Sequence, residues 1–411
     1  MEYRLAVPDD IPEAGRLAAH SFPAPERVAS WWEDRLGAPV YGGGADTLIV
    51  GCDERRIAAA CQIHPLRQWI AGEAMPMTGV GTVAISPAHR KQGRAAALVS
   101  AALRAGRERG DIVSSLFPFR VSFYQRLGYG LAGEAHQFQV PPAMLPDSAE
   151  RHRVEVLDND DLRDEAFTLY SRWAVQQTGQ LDRTPRVWLQ ATAGASAHLF
   201  GYRSHRDELE GYAVVMYRTD LPPAQRYLEV DELVWTTDTA RRGLYGWLAS
   251  LDDQWQQILL RARPSERLGD WLREPRLPHG AAPSWRLWAP MATLMSGPMF
   301  RLLDVRAAFE GRRIEPAPTI AFAVEVQDSL FEENRGSWRI VLDAGRAIVE
   351  RTGALDLSLR MDISTLSRIY IGSLSPTDAL RAGLLECDHA ELLTVLDDAL
   401  ALPEPWTFDR F

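Results

Sequence analysis

The sequence predicts an α/β chain of several domains, the last of them α+β in character, on three observations. Short apolar strands alternate with amphipathic helices from Met1 to about Val140. A similar grammar returns after a polar, proline-bearing stretch, and strict period-two alternation takes over from Ile320 onward. At 411 residues the chain exceeds one ordinary domain, and length alone suggests two or three.

The opening YRLAV reads as a strand, and Asp9 and Asp10 are placed to cap a helix through Ile11, Ala14, Leu17 and Ala18. Strands are expected at Thr47–Gly51, Ile57–Ile63 and Gly79–Ile85. A helix from Gly93 to Arg109 follows, carrying Ala95, Leu98, Val99, Ala102, Leu103 and Gly106 on one face. Pro141–Arg153, PPAMLPDSAERHR, reads as a linker. Beyond it come a helical stretch near Asp160–Gln176, strands at Leu209–Tyr217 and Tyr227–Trp235, and a helix from Gly243 to Leu260, closed by the proline- and tryptophan-rich Pro275–Pro298. The repetition suggests a second copy of the first fold. In the last part, Ile320–Asp328, Trp338–Asp343 and Leu355–Asp362 alternate as strands, helices follow in ISTLSRIYIG and from Asp378 to Leu385, and the chain ends in the aromatic PEPWTFDRF.

Composition removes several function classes. A hydrophobic fraction of 46% with 24% charged residues is that of a soluble globular protein. No segment approaches the roughly 20 apolar residues of a membrane span, and MEYRLAVPDD carries acids where a signal peptide is apolar, so a cytoplasmic location is expected. The net charge of −10 argues against a phosphate-binding nucleic-acid surface. Cys52, Cys61 and Cys387 show no CxxC spacing and read as buried free thiols, and no metal site is indicated.

The most informative segment is VGTVAISPAHRKQGRAAALVSAALRAG, Val80–Gly106: a strand, a short basic glycine-bearing loop, then a helix start. Free N–H groups and the positive end of the helix dipole converge there, which is how a pyrophosphate is held without a metal. The same residues also suit a basic helix start with no ligand. Farther on, LFPFRVSFYQRLGYG, Leu116–Gly130, takes a strand into a helix turn and a glycine-flanked aromatic.

Arg90-Lys91-Gln92-Gly93-Arg94-Ala95 resembles the acetyl-CoA signature of GNAT N-acetyltransferases. The resemblance implies that the strand end, Val83, Ala84 and Ile85, bonds the acetyl-pantetheine arm through its backbone, and that Arg90, Lys91, Gln92, Gly93, Arg94, Ala95 and Ala96 surround the pyrophosphate. Phe119 and Arg120 join this cofactor-binding set. It also implies that Tyr124 is the general acid that protonates the departing thiolate, a phenol of pKa about 10 serving a thiol of about 8.5. Tyr124 or Tyr129 could equally be a core aromatic, with Tyr129 read as the structural one.

Over nearly its whole length the chain resembles the Eis family of bacterial acetyltransferases. The anchors are HRKQG at His89–Gly93, FYQRLGYG at Phe123–Gly130, MFRLLDV at Met299–Val305 and MDISTLSRIYIG at Met361–Gly372. The resemblance implies two tandem GNAT folds, each a mixed central sheet flanked by helices, and then a sterol-carrier-protein-like α+β domain. The boundaries expected are 1–145 for the acetyl-CoA-binding domain, 150–298 for a degenerate copy and 299–411 for the last domain. In the second copy the loop reads TDTARRGLYG with an imperfect register, so no acetyl-CoA is expected there.

By the same resemblance the α-carboxylate of Phe411 enters the first domain's active site as general base. The bland alternative is a frayed end. The implied reaction is direct transfer of acetyl from acetyl-CoA to a primary amine of a small molecule, aminoglycoside-like or polyamine-like, by a homo-oligomer, hexameric in the family. Alternatives are a protein-lysine acetyltransferase and a non-catalytic apolar-ligand-binding protein. Trp31, Trp32 and Glu33 line the amine pocket or, equally, form a helix face of the core. Arg410 departs from the acids that family members active on aminoglycosides present beside the terminal phenylalanine, and its guanidinium would repel a polycation.

Overall fold

A computed structural model describes residues 1–54, 56–193, 197–222, 225–274, 291–314, 319–351, 358–390 and 393–411. It divides into two compact units. One comprises Met1–Gly133, Gln177–Asp182 and Pro298–Phe411; the other comprises Glu134–Gln176 and Arg183–Gly297.

The first unit opens with strand β1 (Glu2–Leu5) and the helix pair α1 (Ile11–Ser21) and α2 (Ala29–Gly37). Strand β2 (Leu48–Asp53) and the long hairpin β3 (Arg56–Ile70) and β4 (Glu73–Ile85) follow. Helix α3 (Arg94–Glu108) crosses back to β5 (Val113–Leu116), and α4 (Val121–Gln125) leads to β6 (Gly130–Leu131). The face of α3 picked out by its 3.6-residue period is buried: Leu98, Val99, Ala102 and Leu103 are all 0% exposed. Removing any of the larger ones would leave a cavity costing about 2–5 kcal/mol.

The chain then builds the second unit from β7 (Glu134–Val140), β8 (Val154–Val156), α5 (Asp160–Ala174), α6 (Pro185–Thr192), β9 (Ala197–Arg203), β10 (Leu209–Arg218), β11 (Tyr227–Trp235), α7 (Asp238–Ala249), β12 (Ile258–Ala262) and β13 (Thr293–Ser296). It returns as β14 (Met299–Leu302) and α8 (Val305–Gly311), then β15 (Ile320–Gln327), β16 (Gly336–Asp343), β17 (Arg346–Arg351), β18 (Ser358–Asp362), α9 (Ile363–Ile371), α10 (Pro376–Arg381), β19 (Leu385–Cys387) and α11 (Leu393–Leu400).

Three sheets result, ordered β1-β2-β3-β4-β5-β14-β6, β13-β7-β12-β11-β10-β9-β8 and β17-β16-β15-β18-β19. The first two share one plan. A meander of antiparallel strands ends in a parallel pair, β4 with β5 and β11 with β12, joined by a crossing helix, α3 or α7. Each then receives a strand from elsewhere in the sequence. β14 pairs antiparallel with β5 in the first sheet, and β7 pairs antiparallel with β12 in the second. Glu134–Val140, counted by the sequence reading with the first domain, is therefore a strand of the second sheet. Met299–Leu302, counted with the last domain, is a strand of the first.

Two other expectations change. The helix expected over Gly243–Leu260 begins at Asp238, where Thr237 caps it through Oγ1 to the Ala240 N–H at 3.1 Å, and ends at Ala249; Ile258–Ala262 is strand β12. The linker expected over Pro141–Arg153 contains two short 3-10 turns, and Ser148 lies close enough to Gly246 of α7 to block any side chain there. Most of Pro275–Pro298 and the start of the strand expected at Leu355 lie outside the described residues.

The last helices share one apolar core with the first sheet: Met77, Val113, Phe300 and Leu302 lie in the same cluster as Phe322, Ile340, Leu366 and Leu396. Arg301 and Asp328, both with side chains 0% exposed, pair across this junction, Arg301 Nη2 donating to both carboxylate oxygens at 2.8 Å. Among the described residues no helix is long and apolar enough to cross a membrane, and no group of three or more His, Cys, Asp or Glu could hold a metal ion.

Candidate active site

Strand β4 separates from β5 partway along. Their parallel pairing runs Met77 to Val113, Thr78 to Ser114 and Gly79 to Ser115 and stops there, while β4 continues to Ile85. In the same stretch the register with β3 slips between Ala60 and Gln62, and Thr82 adopts φ 49°, uncommon for a β-branched residue. Val80–Ile85 thus carries backbone groups unpaired on the β5 side. The sequence-picked Val83, Ala84 and Ile85 lie in this stretch, with the Ala84 side chain buried.

The loop after β4 makes a 3-10 turn at Pro87–His89 and two left-handed steps, Lys91 at φ 60° and Gly93 at φ 75°. Gly93 is the N-cap of α3 and supplies no side-chain cap, so the first-turn N–H groups at Arg94, Ala95 and Ala96 are left for another acceptor. A Cβ on Gly93 would meet nothing within 4 Å, so open space lies in front of that turn. Arg90, Lys91 and Gln92 are exposed, and Gln92 folds back to donate to the Ala88 carbonyl at 3.1 Å. These residues fit a pyrophosphate: free amides, a helix dipole and positive charge around an open concavity. The corresponding turn in the second unit does not. Thr237 already caps α7, and Arg241 stacks on Trp235, Tyr245 and Trp271 at 4.7, 5.6 and 4.0 Å.

On one face of the sheet lies Tyr124. It is buried, and its ring meets Phe119, Phe123 and Tyr129 edge-on at 5.5, 4.9 and 5.9 Å. Burial, helped by the neighbouring Cys61 thiol, pushes the phenol above its ordinary value, so it keeps its proton at neutral pH. Tyr129 is fully buried and shares a 2.7 Å hydrogen bond with the Ser114 hydroxyl. Phe119 stands 70% exposed at the edge of this aromatic group, and Arg120 is the exposed N-cap of α4.

On the other face lies the C-terminus. The Phe411 ring sits over Gly79, where a Cβ would meet it at 2.8 Å, and packs edge-on against Tyr41 and Phe117 at 6.1 and 5.8 Å. The carboxyl carbon of Phe411 is 3.6 Å from where a Gly81 Cβ would stand. Tyr41 donates through its hydroxyl to the Arg410 carbonyl at 2.8 Å, and the Arg410 side chain is exposed.

A strap far from the tail in sequence holds it. The Gly179 N–H donates to the Trp69 carbonyl, the Trp69 N–H donates to the Gln180 carbonyl, and the Gln68 amide donates to the Gly179 carbonyl, all at 2.8 Å. On the strap's other side the Trp406 N–H donates to the Thr178 carbonyl at 2.8 Å, and the Phe408 N–H donates to Gln180 Oε1 at 3.4 Å. The tail is thus tied through residues 178–182 to the end of β3.

Trp31, Trp32 and Glu33 lie on α2 and pack toward α1. Trp32 is buried with its ring 5.5 Å from Phe22, Glu33 covers Gly15, and Trp31 is partly exposed between the Arg27 and Arg35 guanidinia at 5.7 and 5.5 Å. The sequence reading did not single out Tyr41, His64, Gly79, Gly81, Phe117 or the 177–182 strap. Gly79 and Gly81, two residues apart in a strand, were the available signal, since such glycines mark a close approach of another group.

Comparison with known proteins places these features. The acetyltransferase (GNAT) domain family matches residues 2–132, a second acetyltransferase (GNAT) domain family matches residues 179–302, and the sterol carrier protein domain family matches residues 305–408. The N-acetyltransferase Eis of Mycobacterium tuberculosis is 28% identical over 97% of this chain and 96% of its own. An uncharacterized N-acetyltransferase of Streptomyces avermitilis is 25% identical over 83% and 82%. The crystal structure of a GCN5-related N-acetyltransferase from Anabaena variabilis superposes with a TM-score of 0.85 at 22% identity, covering 100% of both chains. The chain is therefore an acetyltransferase built of two acetyltransferase (GNAT) domains and a C-terminal sterol carrier domain, and a homologue of the Eis N-acetyltransferases.

Proposed function

We propose that the chain transfers acetyl from acetyl-CoA to a primary amine of a small molecule by direct attack. The observation that carries this reading is the pair of groups flanking the gap between β4 and β5: a buried, protonated phenol at Tyr124 and the terminal carboxylate beside Gly81. Acetyl-CoA, when bound, supplies an acyl group activated as a thioester.

The residues of the chain divide the remaining work. The α3 N-terminus from Gly93 to Ala96 takes the pyrophosphate, with Arg90, Lys91 and Arg94 adding charge. The unpaired edge of Val83–Ile85 holds the pantetheine arm and presents N–H groups to the thioester carbonyl. The Phe411 carboxylate, ionised at neutral pH because an α-carboxyl has a pKa near 3.5, accepts a proton from the attacking amine. The Tyr124 hydroxyl donates one to the sulfur.

The Arg410 guanidinium next to the terminal residue disfavours an aminoglycoside or other polycation as the acceptor. On the same reading the protein works in the cytoplasm as a homo-oligomer, a hexamer as in the resembling family, and its charge of −10 leaves nucleic acid aside.

A panel of aminoglycosides, polyamines, aryl monoamines and lysine peptides, read by CoA release, gives the acceptor class. Tyr124→Phe should lower turnover about 100-fold or more while the acetyl-CoA Kd stays near wild type. One alanine appended after Phe411 should do the same by moving the carboxylate. Wild-type turnover in either variant would remove that group from the mechanism.

A further inference from the structure

We propose that His64 is a second ligand to the acceptor amine, so that the site grips both hydrogens of a primary amine and discriminates against secondary amines. The proposal rests on the reading of the terminal carboxylate given above and adds a residue to it. His64 and Gln62 project from the same face of β3, and the residues opposite them on β4 are Gly79 and Gly81, whose lack of a side chain lets the Phe411 ring and the His64 ring pack closely over the strand. The point where a Gly81 Cβ would stand is 3.1 Å from His64 Nε2 and 3.6 Å from the carboxyl carbon of Phe411. His64 Nε2 and the carboxyl carbon are therefore at most about 7 Å apart, near enough for one amine nitrogen to hydrogen-bond to both.

The ring is not tied up as a structural histidine would be. Its Nδ1 is buried without a hydrogen-bond partner among the described residues, as are both amide atoms of Gln62 behind it. The ring is 2% exposed, and in the neutral tautomer with its proton on Nδ1 the lone pair lies on Nε2, the nitrogen on the Gly81 side, where an amine N–H would meet it. Its neighbours are aromatic, with Tyr41 edge-on at 5.1 Å.

The imidazole stays neutral throughout the working range. Burial, with the Arg35 and Arg109 guanidinia nearby, holds its pKa down at about 3. It therefore offers an acceptor lone pair and does not compete with the Phe411 carboxylate for the proton. An attacking primary amine has two N–H groups besides its lone pair. One faces the carboxylate, which takes that proton, and the other faces Nε2, which keeps the lone pair aimed at the thioester carbonyl. A secondary amine carries a single N–H and leaves one of the two acceptors unmatched, a loss that buried sites penalise steeply.

The test uses benzylamine and N-methylbenzylamine, amines of closely similar basicity whose ring suits the Tyr41, Phe117 and Phe411 surround. Wild type should favour benzylamine at least about tenfold in kcat/KM. His64→Leu should lower kcat/KM for benzylamine by about tenfold or more and bring the ratio toward one, and His64→Gln, which restores an acceptor oxygen, should recover part of both. Binding of the two amines to CoA-saturated enzyme, measured by calorimetry, reads the same ratio without turnover. A ratio near one in wild type by both measures, or a ratio unchanged in His64→Leu, overturns the proposal. Should the alanine-extended chain keep wild-type turnover while His64→Leu loses discrimination, the carboxylate assignment falls and His64 stands.

Discussion

Gly179→Val addresses the strap that holds the C-terminal tail. Gly179 has φ 100°, where an L residue costs about 1–2 kcal/mol. Its Cβ would lie 2.7 Å from the Trp406 carbonyl oxygen and 2.8 Å from the Trp406 nitrogen, both main-chain atoms that cannot rotate away. The tail must then leave its place, losing the hydrogen bond from the Trp406 N–H to the Thr178 carbonyl, worth about 1 kcal/mol, and part of the burial of the Trp406 ring. Together these make about 3 kcal/mol, or about a 100-fold fall in the population with the carboxylate in place. Turnover at saturating substrates should fall by a factor of that order, carboxypeptidase should release Phe411 faster, and acetyl-CoA should bind as in wild type. Combined with the alanine extension, the two lesions should not multiply, because both remove the same group. Wild-type turnover with a protected terminus, or fully multiplicative losses, would refute the link from strap to tail to chemistry.

Three further outcomes follow from the same coordinates. Because the unfolded chain protonates His64 below about pH 6.5 while the folded chain resists until about pH 3, stability should fall as pH drops through that window by about 1.4 kcal/mol per unit from this residue. His64→Leu should flatten the urea-denaturation profile between pH 6 and pH 4, and parallel profiles would show that the ring is not buried neutral. Arg301→Met strands the Asp328 carboxylate in the core and should cost about 3–5 kcal/mol in thermal or urea unfolding, with Asp328→Asn added to it recovering part; a neutral single variant would contradict the buried pair. Calorimetry should find one acetyl-CoA per chain, weakened by Gly93→Val through the left-handed φ of 75° rather than by a clash, and a stoichiometry of two would mean that the Arg241 stack in the second unit opens.

How much the sequence disclosed depended on how local the signal was. The loop from Arg90 to Ala96 was legible because the glycine, the basic residues and the helix they precede are contiguous, and one helix turn makes the whole anion site. The amphipathic stripe of α3 was legible for the same reason. The exchange of β7 and β14 between sheets was not, since nothing in either strand's own pattern says which edge it will pair with; both read simply as strands near a domain boundary. The helix expected at Gly243 started early because Thr237 and Asp238 supply a cap that the sequence reading had assigned to the loop.

The acceptor side of the site shows why the remainder was hidden. Gln62 and His64 stand in a run of apolar residues, AAACQIHPL, where each looks like an interruption of a strand rather than part of a pattern. Only the hairpin register, Gln62 opposite Gly81 and His64 opposite Gly79, turns two polar residues and two glycines into one feature: a polar wall facing a gap. That gap is filled by the residue farthest away in sequence, Phe411, brought there by a strap from the middle of the chain. The aromatic Trp406, Phe408 and Phe411 of PEPWTFDRF argue for a docked tail against the frayed end usual for termini, but its place at the site came from family resemblance, because nothing local says where it docks. What permits the docking is the glycine at 79, since any side chain there would collide with the Phe411 ring at 2.8 Å and with Leu66 at 2.6 Å. The two glycines of β4 therefore act with the strap, one by admitting the Phe411 ring and the other by letting the carboxylate and the imidazole come close to each other.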